Sequence, residues 1–213
     1  MRTEELVNLL STGSEPVERG QSTRRLATSM PLALFGAYLL MHIVFGLRHD
    51  LSSAMATGLF WAKLALPVCI ALGALLATTR LSHPGANVGS AWLVLSLPVT
   101  GVWLAGALIV ATAPEQDRVS LILGMSWRSC PFNILLLSVP AFFVIFIAVK
   151  SLAPTRLSLA GASAGLLSGS VATIAYCFHC PEMSPAFWGI WYVLGMSLVA
   201  VVGAIAGPRL LRW

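Results

Sequence analysis

The chain has 213 residues, 57% of them hydrophobic and only 10% charged, with a formal net charge of +5. A soluble domain carries roughly 25% charged residues, so this composition cannot cover a water-soluble globule, and it excludes that class. The basic excess fits a membrane protein whose Lys and Arg residues flank its spans, and no direct contact with nucleic acid is expected.

In chain order, residues 1–28 form the one sizeable segment outside the apolar runs. Thr3 offers a helix cap, and Glu4 and Glu5 follow in the first turn, where the helix dipole favours acids. Leu6, Val7, Leu9 and Leu10 make an apolar stripe at helical spacing, and Gly13 with Pro16 ends the helix. Such a helix, about two to three turns long, is too short to be stable alone in water. It needs a cover: the membrane surface, the loops of the bundle, or an apolar groove on a partner protein. Arg24 and Arg25 read as a positive flank rather than a twin-arginine signal, and no cleaved signal peptide is expected.

Six apolar runs then follow, each of the length a bilayer demands. They cover about 29–47, 57–78, 89–113, 130–149, 157–178 and 185–206. Irregular backbone cannot face lipid, so each is a helix. The expected fold is all-α: a polytopic bundle of six transmembrane helices over residues 29–213, with a short cytoplasmic helix within 1–28. Membrane lipid is then a partner throughout. Pro67, Pro98 and Pro140 fall inside spans, and Ala160 to Gly165 with Gly169 supply small residues for close helix packing. Trp61, Trp127 and Trp188 recur near the starts of returning helices, which suggests interfacial belts and three helical hairpins.

The basic residues orient the chain. With a cytoplasmic N-terminus, the inside segments hold Arg2, Arg19, Arg24, Arg25, Arg80, Lys150, Arg156, Arg209 and Arg212, against Arg48, Arg118 and Arg128 outside. This bias places both termini in the cytoplasm. Lys63 and His42 fall within spans, near enough to the interface to snorkel, and their roles stay open.

Of the four cysteines, Cys69 reads as a small core residue within the second span. The other three gather near the outer face, in the motifs Ser126-Trp127-Arg128-Ser129-Cys130-Pro131 and Cys177-Phe178-His179-Cys180-Pro181-Glu182. Pro131 suits the first helical position, which puts Cys130 at the N-cap. That position and Arg128 favour a reactive, exposed thiolate. Pro181 leaves Cys180 just outside the fifth helix. Cys130 and Cys180 are therefore candidate sensor thiols, with Cys177, His179, Glu182 and Arg128 as accessory residues. A disulfide between Cys130 and Cys180, a soft-metal site of Cys130, Cys180 and His179 with only transient heavy-metal binding, and a Cys177–Cys180 redox pair all remain open. No resident cofactor is expected.

Several stretches carry a family resemblance: the start at Thr3–Leu10, Phe60-Trp61-Ala62-Lys63-Leu64, the Cys130-Pro131 motif through Ile134, Leu152-Ala153-Pro154-Thr155-Arg156, His179-Cys180-Pro181-Glu182, Trp191-Tyr192, and the terminal Gly207-Pro208-Arg209-Leu210-Leu211-Arg212-Trp213. In these the chain resembles the NrsF-type negative regulators of extracytoplasmic-function (ECF) sigma factors, membrane proteins of proteobacteria. The resemblance implies a bacterial inner-membrane anti-sigma factor whose cytoplasmic N-terminus holds an ECF sigma factor. It also implies that Cys130 and Cys180 take part in sensing heavy-metal or oxidative stress. A regulator, not an enzyme, is expected, and a second copy of the chain is a candidate partner. The rival readings are a membrane thiol-disulfide oxidoreductase and a metal transporter. The first lacks an obvious electron-acceptor site, and the second lacks ligands along the middle of the spans.

Overall fold

The computed structural model of the chain describes residues 3–12, 21–82 and 88–212; the side chains of residues 9, 10 and 21–23 lie outside the description. Its elements, in order, are α1 (Thr3–Thr12), α2 (Gln21–Val44), α3 (Leu51–Met55), α4 (Gly58–Leu81), α5 (Ala91–Thr112), α6 (Glu115–Leu123), α7 (Cys130–Lys150), α8 (Leu157–Tyr176) and α9 (Pro185–Leu210). No strand occurs among the described residues. The helices α2, α4, α5, α7, α8 and α9 are each long and apolar enough to cross a membrane. At a rise of 1.5 Å per residue, 20 residues reach about 30 Å, the thickness of the hydrocarbon core.

The starts of the spans follow local chemistry. The Thr57 hydroxyl caps α4 by accepting from the Phe60 amide at 3.4 Å. Pro131 and Pro185 sit in the first turns of α7 and α9, where a missing N–H costs nothing. The α2 helix begins at Gln21, eight residues before the apolar run suggested, because Arg24 and Arg25 are good helix formers although they are polar. The predicted turn residues Gly13 and Pro16 lie outside the described residues.

At the centre stands α8, packed against α2, α4, α7 and α9. Glycines of α8 and α9 face each other with no room for a side chain. A Cβ on Gly161 would run into the Gly203 carbonyl, one on Gly203 into the Gly161 carbonyl, and one on Gly207 into the Leu157 carbonyl. Backbone therefore lies on backbone along the α8–α9 seam. The buried hydroxyls of α8 satisfy themselves within the helix: Ser168 donates to the Ala164 carbonyl at 2.8 Å and Thr173 to the Gly169 carbonyl at 2.7 Å. The seam therefore needs no polar partner on another helix.

The three-hairpin arrangement is not what forms. Of the three expected pairs, α8 and α9 alone pack extensively; α2 and α4 touch each other slightly, α2 resting on α7 and α8 and α4 on α8 and α5. The short helices α3 and α6 separate the arms of the other two expected hairpins. Trp188 also departs from the belt reading. It is buried and donates to the Met183 carbonyl at 3.3 Å, whereas Trp61 is exposed as expected.

Candidate functional site

The end of the bundle where α2, α5 and α8 finish and α4, α7 and α9 begin is organised around residues 177–184. This stretch links α8 to α9. It starts as a continuation of the helix, with the Cys177, His179 and Cys180 amides each donating to carbonyls one turn back at 3.0 Å. Pro181 stops that pattern, because it has no N–H.

Cys130, Cys177 and Cys180 are all fully buried free thiols. They lie within electrostatic reach of one another, so the fold brings the two sensor candidates and Cys177 into one cluster. Two tyrosines cover them. Tyr176 lies against Cys130, and its hydroxyl accepts a hydrogen bond from the Asn133 side-chain Nδ2 at 3.3 Å. The Tyr192 hydroxyl is buried without a conventional hydrogen bond and has Cys177 and Cys180 as its polar neighbours. Cys69 stands apart, half-buried in the groove between α4 and α5.

Two sequence expectations for Cys130 need correction. It is the first residue of α7, not the cap; Ser129 occupies the cap position, and the Cys130 amide donates to the Ser126 carbonyl at 2.9 Å. The thiol is not exposed to water either. Local spacing reveals where a helix starts but not what packs over it. The Arg128 side chain is exposed and lies over the Trp127 ring, 4.9 Å from its centroid.

The metal set of Cys130, Cys180 and His179 is not assembled. Among the described residues no three His, Cys, Asp or Glu side chains converge to hold a metal ion. The Nδ1 of His179 is instead engaged with the Gly46 carbonyl at 3.0 Å. Glu182 also turns elsewhere: its carboxylate accepts from the Met125 amide at 2.7 Å and fills the space where a Cβ on Gly124 would sit. Gly124 has φ +55°, a backbone conformation that glycine adopts without strain.

The site contains a residue whose role the sequence left open. Lys63 is fully buried and does not snorkel. Its ammonium donates to the Cys180 carbonyl at 2.7 Å and to the Glu182 carbonyl at 2.9 Å, and it lies 5.6 Å from the centroid of the Tyr192 ring. Arg48 approaches from the other side. It donates to the same Cys180 carbonyl at 3.4 Å while gripping Asp50 through two bonds of 2.7 and 2.6 Å. The Arg48 hydrogen bond holds the Asp50 carboxyl at about 2, below its ordinary value, so the pair stays ionised at neutral pH. By contrast, His42 is exposed on α2, stacked on Tyr38.

The partner-binding candidates fall on α1. Its helix spans the predicted residues, with Glu4 and Glu5 in the first turn. Leu6 and Val7 are 42% and 58% exposed, and among the described residues α1 makes no substantial contact with the other helices. The Leu9 and Leu10 side chains, also expected on the stripe, lie outside the described residues.

Comparison with known proteins adds the remaining finding. A family model described as "NrsF: Negative regulator of sigma F" matches residues 10–213. The chain is similar to the "Probable anti-sigma-F factor NrsF" of Azospira oryzae, at 43% identity over the whole of both chains. It is also similar to the "Anti-sigma-F factor NrsF" of Caulobacter vibrioides, at 36% identity, again over the whole of both. No solved structure matches it.

Proposed function

Because the chain belongs to the NrsF family of negative regulators of sigma F, we propose that it is an anti-sigma factor of the bacterial inner membrane. In this reading α1 holds a sigma factor of the ECF type on the cytoplasmic side, and a change at Cys130 and Cys180 on the outer side releases it. The full-length similarity to two proteins named as anti-sigma-F factors carries the proposal. Two features support its finer points. Leu6 and Val7 of α1 are exposed, and among the described residues no other helix covers them, which suits a partner-binding helix. The Lys and Arg distribution supports a cytoplasmic place for that helix and an outer place for the thiol cluster.

Burial of the thiols changes how sensing must work. A thiol-directed stress signal cannot act on an exposed thiolate here; residues 177–184 have to yield before Cys130 or Cys180 reacts. The free energy needed is modest, because a tenfold change in affinity for the sigma factor corresponds to about 1.4 kcal/mol between two states of the bundle.

The test is a sigma-dependent reporter in cells producing variants at normal membrane abundance. Leu6→Asp places a charge where an apolar groove should cover the stripe, at a cost of several kcal/mol. The reporter should turn on without stress, and the sigma factor should no longer co-purify. Repression that persists in Leu6→Asp would overturn the role of α1. Cys130→Ser and Cys180→Ser should each lock repression on, and the double variant should match either single one, as a shared unit predicts. A normal stress response in the double variant would remove these thiols from the mechanism.

A further inference from the structure

Lys63 has no counter-ion of the ordinary kind: among the described residues the one ion pair is Arg48–Asp50, and the nearby Glu182 carboxylate is turned to Met125. A buried ammonium without a carboxylate is costly, and inside a membrane protein it calls for a functional account. Its two hydrogen bonds supply one. They go to the carbonyls on either side of Pro181, and outside the helices no backbone amide among the described residues donates to either carbonyl. The buried Cys180 carbonyl and the part-buried Glu182 carbonyl are therefore satisfied through side chains that reach in from other elements. Arg48 offers the Cys180 carbonyl a second, longer bond, while the Glu182 carbonyl has Lys63 as its donor.

We propose that Lys63 is a positioning residue that latches the Cys180-Pro181-Glu182 bend shut over the thiols, so that its two hydrogen bonds set how fast a thiol-directed reagent reaches Cys130, Cys177 and Cys180. Removing the ammonium leaves the part-buried Glu182 carbonyl without its donor and the buried Cys180 carbonyl with the longer Arg48 bond alone, and water is the replacement donor. Water reaches the Cys180 carbonyl only if the bend lifts, because Cys180 is fully buried, and a lifted bend uncovers the thiol as well. An open cleft beside it, about 460 Å³ and lined by Arg48, Asp50, His179 and Pro181, gives the approach from outside. The inference concerns access to the thiols; its relevance to signalling rests on the anti-sigma reading above.

The test compares the full-length chain with Lys63→Met and Lys63→Arg in native membranes, treated with N-ethylmaleimide. Mass spectrometry follows the alkylation rate of each cysteine. Met keeps the volume and removes the donors, whereas Arg keeps the charge and can donate to both carbonyls. Lys63→Met should speed alkylation of Cys180 by about tenfold, the ratio expected when a charge-assisted hydrogen bond is lost. Cys69, on the same helix but away from the bend, should change by less than about twofold on the same scale. Lys63→Arg should restore most of the protection. An unchanged rate at Cys180 in Lys63→Met would overturn the latch, and so would an equal rise at Cys69, which marks general loosening. Should the Met variant fail to accumulate, Lys63→Gln, whose shorter amide reaches the carbonyls less well, is read in the same way. The sigma-dependent reporter separates the two proposals. Faster alkylation with a silent reporter leaves the latch standing and counts against the thiols as sensor.

Discussion

The helices α8 and α5 are both long enough to cross a membrane, yet 61% of the spanning window of α8 is buried inside the protein, against 6% of that of α5. The more apolar of the two lies outside. α5 is built from Leu, Val and Trp, and side chains such as Leu97, Leu104 and Leu108 point away from the bundle. α8 is built from Gly, Ala and Ser, and most of its residues are covered. Lipid tails solvate a leucine as well as a protein core does, so apolar character confers no preference for the inside. Closeness of approach does, and only small residues permit it. Serine adds no penalty because its hydroxyl turns back onto the helix's own carbonyls.

Three substitutions break or sharpen this contrast. The largest effect belongs to Gly161→Val, which drives side-chain atoms into the Gly203 backbone, where nothing flexible can move aside. A loss of about 3 kcal/mol or more is expected, from overpacking at a site that cannot relax. Thermal unfolding in detergent should show it, and an unchanged midpoint would break the comparison. Gly73→Ala is intermediate. Its new methyl meets the Leu95 side chain at 2.8 Å, between α4 and α5, and that leucine can adopt another rotamer. A cost of about 1 kcal/mol is expected, reduced by the better helix propensity of Ala. The smallest effect is at Leu104, 73% exposed on α5. Leu104→Ala should leave unfolding within about 0.5 kcal/mol of the parent, because lipid replaces the lost side chain. A large loss there would show that a second molecule covers α5.

Much of this fold was legible in the sequence. The six apolar runs correspond to six long helices, and the small residues of 160–169 do mark the tightest seam. Parity of spans was also enough to bring Cys130 and Cys180 to one end. What periodicity could not reveal is which face of a helix looks inward when the helix is apolar all round. Lys63 illustrates this: its place along α4 suited snorkelling, but its acceptors are carbonyls 117 and 119 residues further along the chain. The exposure of Cys130 was misjudged for the same reason. A helix start is a local feature, whereas the cover from Tyr176 comes from another helix. Trp188 looked like a belt residue because an interfacial and a buried indole occupy the same position in the chain.

The central place of α8 also bears on the order of synthesis. It is the fifth span to be made. Before it enters the bilayer, α2 finds a packing partner in α7 and α4 finds one in α5, but little joins the two pairs. A nascent chain at Lys150 therefore holds two separate couples rather than half of a bundle. Residues 157–176 supply the surface on which both couples land, and α9 follows along the glycine seam. Assembly is thus a late event concentrated in the last third of the chain, and the early spans must remain stable in lipid on their own until it occurs.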